Sequence, residues 1–341
     1  MKEVYILPEF WDKSHIGACG WIRLLNPLLD STFQASFHVR YGYDIDLSSH
    51  LDMVIFERLW HPMAIDLIYT QQLLKQLKET KTKIIYSIDD NLFDYPYIQN
   101  SDWFKSKHLS LLNLFLHYAD LVVVSTEALK ERISNFHFNI VVIRNVIHIP
   151  ERIYPQQKRD NKTKFGYLLS PDNITYLFQI IEPLKEILYK YRKEVVFEII
   201  GHPSPHLTKQ IFNDLPVEFH FPPDSAYRNY IKWIERGRSW DFGLAPISSN
   251  SFTVCKSDMK FLDFTRLGVP GIFTDFTPYN DVKQQSAGYL SKNDWDTSIR
   301  FMIESPEKRA ILLHNAEHYV SSERNPQIQA REWLDVFDSL V

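Results

Sequence analysis

Short apolar runs alternate with segments of helical periodicity along almost the whole chain. In the first part of the chain, runs typical of buried strands occur at residues 3–7, 33–39, 53–57, 83–88, 121–124 and 140–143. Apolar residues at helical spacing predict helices at residues 22–30, 64–78, 110–118 and 127–134. Strands that alternate with helices in this way predict an α/β fold with parallel sheets.

A second alternating set follows a charged, proline-containing segment at residues 153–163, which we interpret as a linker. Its predicted strands are at residues 165–169, 195–200, 217–221, 242–245 and 271–274. The expected organisation is therefore two doubly wound domains, at residues 1–152 and 164–322. Apolar spacing at residues 323–341 predicts a terminal helix, which we expect to pack back on the first domain.

Composition narrows the class of protein. The 341 residues are 45% hydrophobic and 23% charged, with a formal net charge of -4, which is typical of a globular protein and gives no overall signal for nucleic-acid binding. Cys19 and Cys255 are isolated, so neither a disulfide framework nor a zinc site is expected, and a reducing cytoplasm suits them. No apolar run approaches the length of a membrane span. The aromatic and basic segment 102–108 has two interpretations. It could contact the inner face of a membrane, or it could form the polar start of a core helix.

The segment from residue 240 to 279 contains the strongest chemical signal. Two apolar strands flank Lys256, Lys260 and Asp263, and the spacing predicts a helix over residues 256–266 with these three side chains on one face. Ammonium groups near a helix start suit a diphosphate, and the carboxylate suits an attached ribose. The alternative is a solvated charged face, because charge runs are often no more than that.

Several motifs resemble one family of enzymes. The segments YSIDDNLFDYP at residues 86–96, ADLVVVSTEAL at 119–129 and DFGLAP at 241–246 are similar, in order and spacing, to those of bacterial polysaccharide glycosyltransferases. These belong to the large retaining group that also contains the sucrose synthases. The resemblance implies a GT-B fold, with two Rossmann-like domains facing across a cleft. It also implies that the first domain binds the acceptor and the second binds a nucleotide-sugar donor.

The resemblance implies roles for individual residues of the second domain. Asp263 would bind the donor ribose, and Lys256 and Lys260 would hold the diphosphate, with Lys260 stabilising the charge that builds up on the leaving group. Cys255 occupies the place of the first of the family's two glutamates and cannot replace it as an acid. The remaining implied donor contacts are Asn250, Phe252 and Thr253 for the sugar, and Pro222 for the nucleobase.

Residues of the first domain are candidates for the acceptor side. Asp89 and Asp90 follow a predicted strand, so one of them could orient or deprotonate the acceptor hydroxyl; the alternative is one turn cap and one solvated carboxylate. Arg23 and Arg58 also follow strands and could bind a phosphate or the acceptor, with structural ion pairs as the alternative.

No metal is expected. Asp44 and Asp46, like Asp294 and Asp296, form Asp-x-Asp pairs, but neither pair lies in a convincing ligand loop. No cofactor is expected besides the nucleotide sugar, which is a substrate. The expected activity is metal-independent, retaining transfer of a sugar to a glycan or lipid-linked acceptor. The alternatives are a sugar-nucleotide epimerase and a catalytically silent subunit that binds a glycan or a partner protein.

Overall fold

The computed structural model describes residues 1–62, 64–95, 102–150, 162–170, 173–201, 211–224, 226–237 and 240–340, with only the backbone given at residues 11, 102–104, 236 and 237. Most of the predicted linker, residues 153–161, lies outside the described residues. The chain divides into two compact units. Unit 1 comprises Met1–Val146, Asn250–Ser257 and Arg324–Val341, and unit 2 comprises Ile147–Ser249 and Asp258–Glu323.

Unit 1 is built on a parallel sheet of six strands in the order β4-β1-β5-β6-β7-β8. The strands are β1 (Lys2–Leu7), β4 (Phe37–Tyr41), β5 (Met53–Glu57), β6 (Lys83–Ile88), β7 (Leu121–Val124) and β8 (Ile140–Val142), and a hairpin of β2 (Phe10–Asp12) and β3 (His15–Ile16) follows β1. The order of the strands along the sheet reverses between β1 and β5. The loops after these two strands therefore border the position where ligands of doubly wound sheets bind.

Helices cover both faces of this sheet. On one face lie α3 (Leu67–Glu79), α4 (Asp102–Tyr118) and α5 (Glu127–Ile133), packed against alternate strand residues such as Val54 and Phe56. On the other face lie a π-helix (Gly20–Leu25), α1 (Asn26–Leu28), α2 (Ser31–Gln34) and α13 (Pro326–Leu340), packed against Met53 and Ile55. Strands buried on both faces explain why their sequences are continuously apolar.

Unit 2 contains a second parallel sheet of six strands, in the order β11-β10-β9-β12-β13-β14. The strands are β9 (Thr163–Leu168), β10 (Val195–Ile200), β11 (Val217–His220), β12 (Phe242–Ala245), β13 (Gly271–Thr274) and β14 (Tyr289–Ser291). The helices are α6 (Ile174–Gln179), α7 (Ile181–Lys190), α8 (Tyr227–Gly237), α9 (Met259–Leu267), α10 (Asn280–Gln284), α11 (Trp295–Glu304) and α12 (Pro306–Glu323). Here the order reverses between β9 and β12. The prediction of two Rossmann-like, doubly wound domains is confirmed.

Some predicted elements are wrong in detail. The predicted strand 33–39 is the helix α2 followed by β4, because the Asp30 side chain accepts a hydrogen bond from the Thr32 N–H and caps a helical turn. The predicted helix 22–30 is a π-helix that continues into α1. The short edge strand β14 was not predicted.

Helix α4 begins at Asp102, so the aromatic and basic segment forms its first turns. The side chains of residues 102–104 lie outside the described set, and peripheral membrane contact stays a prediction. Among the helices that the structure describes, none combines the length and the apolarity needed to cross a bilayer.

The C-terminal helix α13 packs in unit 1. Trp333 is fully buried, contacts Phe337 edge-on with ring centroids 6.0 Å apart, and donates a 3.1 Å hydrogen bond from Nε1 to the Arg23 carbonyl. We therefore expect Trp333→Ala to lower the free energy of unfolding by about 3–5 kcal/mol, through the cavity and the lost hydrogen bond. Urea denaturation would measure this loss. Arg331→Ala, at an exposed position of the same helix, is the control and should change stability by less than about 0.5 kcal/mol. Equal stability of the two variants would contradict the packing of α13.

Candidate functional site

The carboxyl ends of three adjacent strands in unit 1 hold a buried ionic cluster. Glu9 follows β1, Arg58 follows β5, and Asp89 and Asp90 follow β6. The Arg58 guanidinium donates from Nε to Glu9 Oε2 at 3.0 Å, and from Nη1 to Asp89 Oδ1 at 2.7 Å and Asp90 Oδ2 at 3.1 Å. Of these side chains only Asp90 is more than a tenth exposed, at 17%. The cluster is therefore enclosed on the protein side and open to solvent at Asp90.

The opposite charges of this cluster stabilise one another's ionised forms. Burial alone would lower the pKa of Arg58, but the carboxylates of Glu9, Asp89 and Asp90 raise it well above its usual range. Burial alone would raise the pKa of Asp89, but the positive charges of Arg58 and Arg23 bring it down to about 2. Asp89 is thus ionised and Arg58 charged throughout the physiological range. With its guanidinium held by these carboxylates, Arg58 positions the two aspartates, and its predicted contact with phosphate or acceptor stays a prediction.

Asp90 has a second partner, Lys256, whose Nζ lies 3.3 Å from Asp90 Oδ1. Lys256 belongs to the segment Asn250–Ser257, which is part of unit 1 although the sequence analysis assigned it to the second domain. The expectation of one helix face shared by Lys256, Lys260 and Asp263 is wrong. Lys256 has extended backbone torsions after a 3₁₀ turn (Thr253–Cys255), and α9 begins only at Met259.

Hydrogen bonds and buried side chains explain why the segment is not helical throughout. The Asn250 side chain accepts from the N–H groups of Phe252 and Thr253 and closes a local turn. Phe252 and Cys255 are buried in the same core cluster as α4 and α5. The Lys256 ammonium lies 4.5 Å from the centroid of the Phe252 ring.

Three further hydrogen bonds join this segment to the strand-end loops of unit 1. Asn91 Nδ2 donates to the Ser251 carbonyl, Thr126 Oγ1 donates to the Cys255 carbonyl, and Asn145 Nδ2 donates to Ser257 Oγ. Phe252 and Thr253 are thus buried inside unit 1, and the predicted contact of Asn250, Phe252 and Thr253 with a donor sugar stays a prediction.

A second buried group lies beneath the ionic cluster. Arg23, on the π-helix, is 1% exposed and donates from Nη1 to the Ile143 carbonyl at 3.2 Å and to Asn145 Oδ1 at 2.9 Å. Burial lowers its pKa. These hydrogen-bond partners belong to unit 1 itself, and the predicted contact of Arg23 with an acceptor or a phosphate stays a prediction.

Glu57 ends the buried strand β5 and is fully enclosed. Its Oε2 accepts a 2.9 Å hydrogen bond from the Glu9 N–H, and burial raises its pKa to about 8. A side chain at Gly20 would place its Cβ 2.9 Å from this oxygen, so glycine is needed there. The raised pKa favours the protonated form of Glu57 at neutral pH.

In unit 2 the candidate residues lie after β12, beside the reversal of strand order. Lys260 and Asp263 are on α9, with Lys260 Nζ 3.9 Å from Asp263 Oδ2, and both side chains remain partly exposed. Burial raises the pKa of Tyr279 and of Tyr230, and the negative charge of Asp263 adds to both shifts. An ammonium and a carboxylate are chemically suited to a phosphorylated sugar or ribose.

Pro222 follows β11, the edge strand of the unit 2 sheet, and is separated from β12 by the two strands β10 and β9. At the start of helix α8, the Tyr227 hydroxyl accepts a 3.1 Å hydrogen bond from Arg266 of α9. The predicted nucleobase contact of Pro222 stays a prediction.

Comparisons with known proteins identify the fold. No family model and no curated protein matches the chain. Among solved structures, TarM matches with a TM-score of 0.60 and 14% identity over 84% of this chain, which spans 54% of TarM. HepE from Anabaena, solved with UDP-glucose, matches with a TM-score of 0.64 and 13% identity over 99% of this chain and 100% of its own. WaaG, a glycosyltransferase involved in lipopolysaccharide biosynthesis, matches with a TM-score of 0.60 and 11% identity. The match covers 97% of this chain and 98% of WaaG.

The chain has the GT-B fold. The similarity is structural, at an identity that shows the fold alone. The motif resemblance drawn from the sequence therefore led to the correct fold.

Within this GT-B fold, sequence reasoning missed Glu9, Glu57 and Asn145 as parts of the unit 1 cluster. A signal existed for Glu57, since a carboxylate ends the otherwise apolar strand MVIFE. The sequence gives no comparable signal for Glu9 or Asn145, because their hydrogen-bond partners are remote in sequence.

Among the described residues, one group of three side chains has metal-ligand spacing: Glu198, Glu218 and His220 on β10 and β11. His220 Nε2 lies 3.3 Å from Glu198 Oε2, which also accepts a hydrogen bond from Trp240 Nε1. These side chains contact one another and Trp240 within unit 2, and the Asp-x-Asp pairs are not part of the group.

The raised pKa of Glu57 generates a prediction about stability. Between pH 4.5, its ordinary pKa, and about 8, the folded chain keeps Glu57 protonated while the unfolded chain ionises it. The folded state then binds more protons, so this carboxyl makes the free energy of unfolding fall as pH rises, by up to ~1.4 kcal/mol per pH unit. Glu57→Gln removes this dependence, and its stability relative to wild type should increase from pH 5 to pH 8 in urea denaturation. Glu79→Gln, at an exposed position of α3, is the control; a Glu57→Gln curve parallel to wild type would contradict the neutral buried acid.

Proposed function

We propose that the protein is a glycosyltransferase that moves a sugar from a nucleoside diphosphate sugar to a glycan or lipid-linked acceptor. The observation that carries the proposal is the pair of carboxylates, Asp89 and Asp90, at the carboxyl end of β6 in a chain with a GT-B fold. HepE was solved with UDP-glucose, and a TarM variant from S. aureus was solved with UDP and a glycoside, which supports the choice of donor class.

On this proposal the two carboxylates differ in role. Asp89 is enclosed and bound to Arg58, so it holds the cluster in place. Asp90 is partly exposed, and Arg58 and Lys256 fix its orientation. Asp90 would therefore accept the hydrogen bond, and where needed the proton, of the acceptor hydroxyl.

Lys260 and Asp263 of unit 2 would bind the donor. The Lys260 ammonium would stabilise the negative charge that develops on the leaving diphosphate, which favours the transition state over the ground state. The Asp263 carboxylate would accept hydrogen bonds from the ribose hydroxyls. Retention at the anomeric carbon, metal independence and a cytoplasmic location complete the proposal.

One observation favours a second candidate, a silent glycan- or partner-binding subunit. Cys255, which replaces the family's first glutamate, is 2% exposed in the core of unit 1. A protein of this kind would bind a ligand without turnover.

The donor site can be tested by thermal shift with UDP, GDP, ADP, TDP and CMP, each with and without magnesium. We expect one diphosphate to raise the melting temperature without magnesium, since a ligand at 100 times its Kd stabilises by about 2.7 kcal/mol. Lys260→Ala should abolish most of the shift and depress turnover. Lys283→Ala is the control, because Lys283 pairs with Asp275 on the exposed surface of unit 2. If none of the nucleotides shifts the melting temperature, the donor assignment is wrong.

The two carboxylates can be separated by substitution. Asp90→Asn should lower kcat by about 10²–10⁴-fold at near-normal stability, because it removes the base but leaves the Arg58 cluster in place. Asp89→Asn should in addition lower the free energy of unfolding by about 3–5 kcal/mol, since a buried guanidinium loses its closest partner. Asp120→Asn is the control, at the opposite end of the same sheet and paired with Lys78. Turnover of Asp90→Asn at the wild-type rate would exclude its role, and donor binding without turnover in wild type would favour the silent subunit.

A further inference from the structure

A group of aromatic side chains borders the reversal of strand order in unit 1. Tyr43 follows β4, Phe10 follows β1, Trp60 and His61 follow β5, and Tyr69 lies in the first turn of α3. We call these five residues the aromatic patch. Because β4, β1 and β5 are adjacent in the sheet, their carboxyl ends bring the patch to the edge where doubly wound sheets bind ligands.

The patch has a buried floor and an accessible surface. Phe10 and Trp60 are 6% and 2% exposed. The rings of Tyr43 and His61 stack at a centroid distance of 3.8 Å and an angle of 15°, and His61 lies 4.1 Å from Trp60. Tyr43 and His61 remain partly exposed, and Tyr69 is 45% exposed. The patch therefore exposes part of its aromatic surface to solvent, and its exposed rings pack on buried ones.

The backbone that carries the patch is strained and firmly held. Arg58 and Trp60 have φ angles of 48° and 54°, in the left-handed region that bulky side chains rarely adopt. Trp60 Nε1 and His61 Nε2 both donate to the Tyr43 carbonyl, at 3.0 and 2.9 Å, and Phe10 N–H donates to the Trp60 carbonyl at 2.8 Å. Strain of this kind tends to occur at ligand sites.

The surroundings of the patch point to the ligand's chemistry. Asp44 directly follows Tyr43 in the chain and is exposed. Burial lowers the pKa of His61 despite the opposing negative charge of Asp44, which favours a neutral ring. The exposed Asp66 borders a recess of about 20 Å³ that Trp60, His61 and Tyr69 also line, room for one water-sized group. The Lys13 ammonium lies 6.0 Å from the centroid of the Tyr43 ring.

We propose that the aromatic patch binds a neutral pyranose ring. The apolar C–H face of such a sugar suits the exposed rings, and its hydroxyls would donate to the carboxylates of Asp44 and Asp66. These carboxylates would oppose a phosphorylated or acidic sugar. Arg58 lies in the same loop as Trp60 and His61 and binds Asp89 and Asp90 of the neighbouring loop, so the bound sugar belongs to the acceptor; this last step rests on the proposed function.

The test is saccharide binding by saturation-transfer difference NMR without any nucleotide. The probes are neutral methyl glycosides and disaccharides of glucose and galactose, compared with glucose 6-phosphate and glucuronic acid. We expect wild type to bind at least one neutral saccharide more tightly than the charged sugars. Tyr69→Ala should weaken binding about fivefold, and Tyr43→Leu with Tyr69→Ala about tenfold or more, while Tyr69→Phe should retain it.

Tyr189→Ala is the matched control, because Tyr189 is an exposed helical tyrosine of unit 2. Tyr69→Ala changes an exposed residue and should fold normally, so a folding defect in the double variant would not remove the test. Equal binding by wild type and Tyr69→Ala, preference for the charged sugars, or no saccharide binding would overturn the proposal. Saccharide binding that depends on Tyr69 in a protein that binds no nucleotide would uphold the patch and reject the glycosyltransferase.

Discussion

The carboxyl edge of the unit 1 sheet depends on one buried guanidinium. Arg58 binds carboxylates from the loops after β1 and β6, so a single side chain joins three adjacent strands. Enclosed charges of this kind are costly to desolvate, and removing one partner leaves the others uncompensated. The same positive charge keeps Asp89 ionised against the effect of burial. The chemistry available at this edge therefore follows from how Arg58 is held.

The backbone of this loop serves the ionic cluster and the aromatic patch together. The left-handed torsion at Arg58 precedes Leu59, whose N–H donates to Glu9 Oε1, and the second such torsion, at Trp60, precedes His61 in the patch. The Tyr86 hydroxyl donates to the Arg58 carbonyl from below. A strained turn with this many fixed contacts holds the charged groups and the rings in place.

The segment Asn250–Ser257 shows how a short stretch can be governed by remote contacts. Its Lys256 pairs with Asp90, and its Phe252 and Cys255 complete a core formed mainly by residues 51–140. Two buried side chains outweigh the modest preference of the local sequence for one continuous helix, since helix propensities amount to tenths of a kcal/mol per residue. Lys260 and Asp263, just beyond it, are on a helix as their spacing predicts.

The sequence by itself determined the two sheets. Strands β5, β6, β7, β10, β12 and β13 begin and end where the apolar runs do, because parallel strands buried on both faces need continuous apolar sequence. It also located Asp89 and Asp90 directly after a strand, and Lys260 and Asp263 on one helix. Only the tertiary structure decided that Arg58 is enclosed by Glu9, Asp89 and Asp90, that burial raises the pKa of Glu57, and that Lys256 lies in unit 1. Those outcomes depend on desolvation and on partners up to 166 positions away, as in the Lys256–Asp90 pair, and such long-range contacts leave no periodic pattern in the chain.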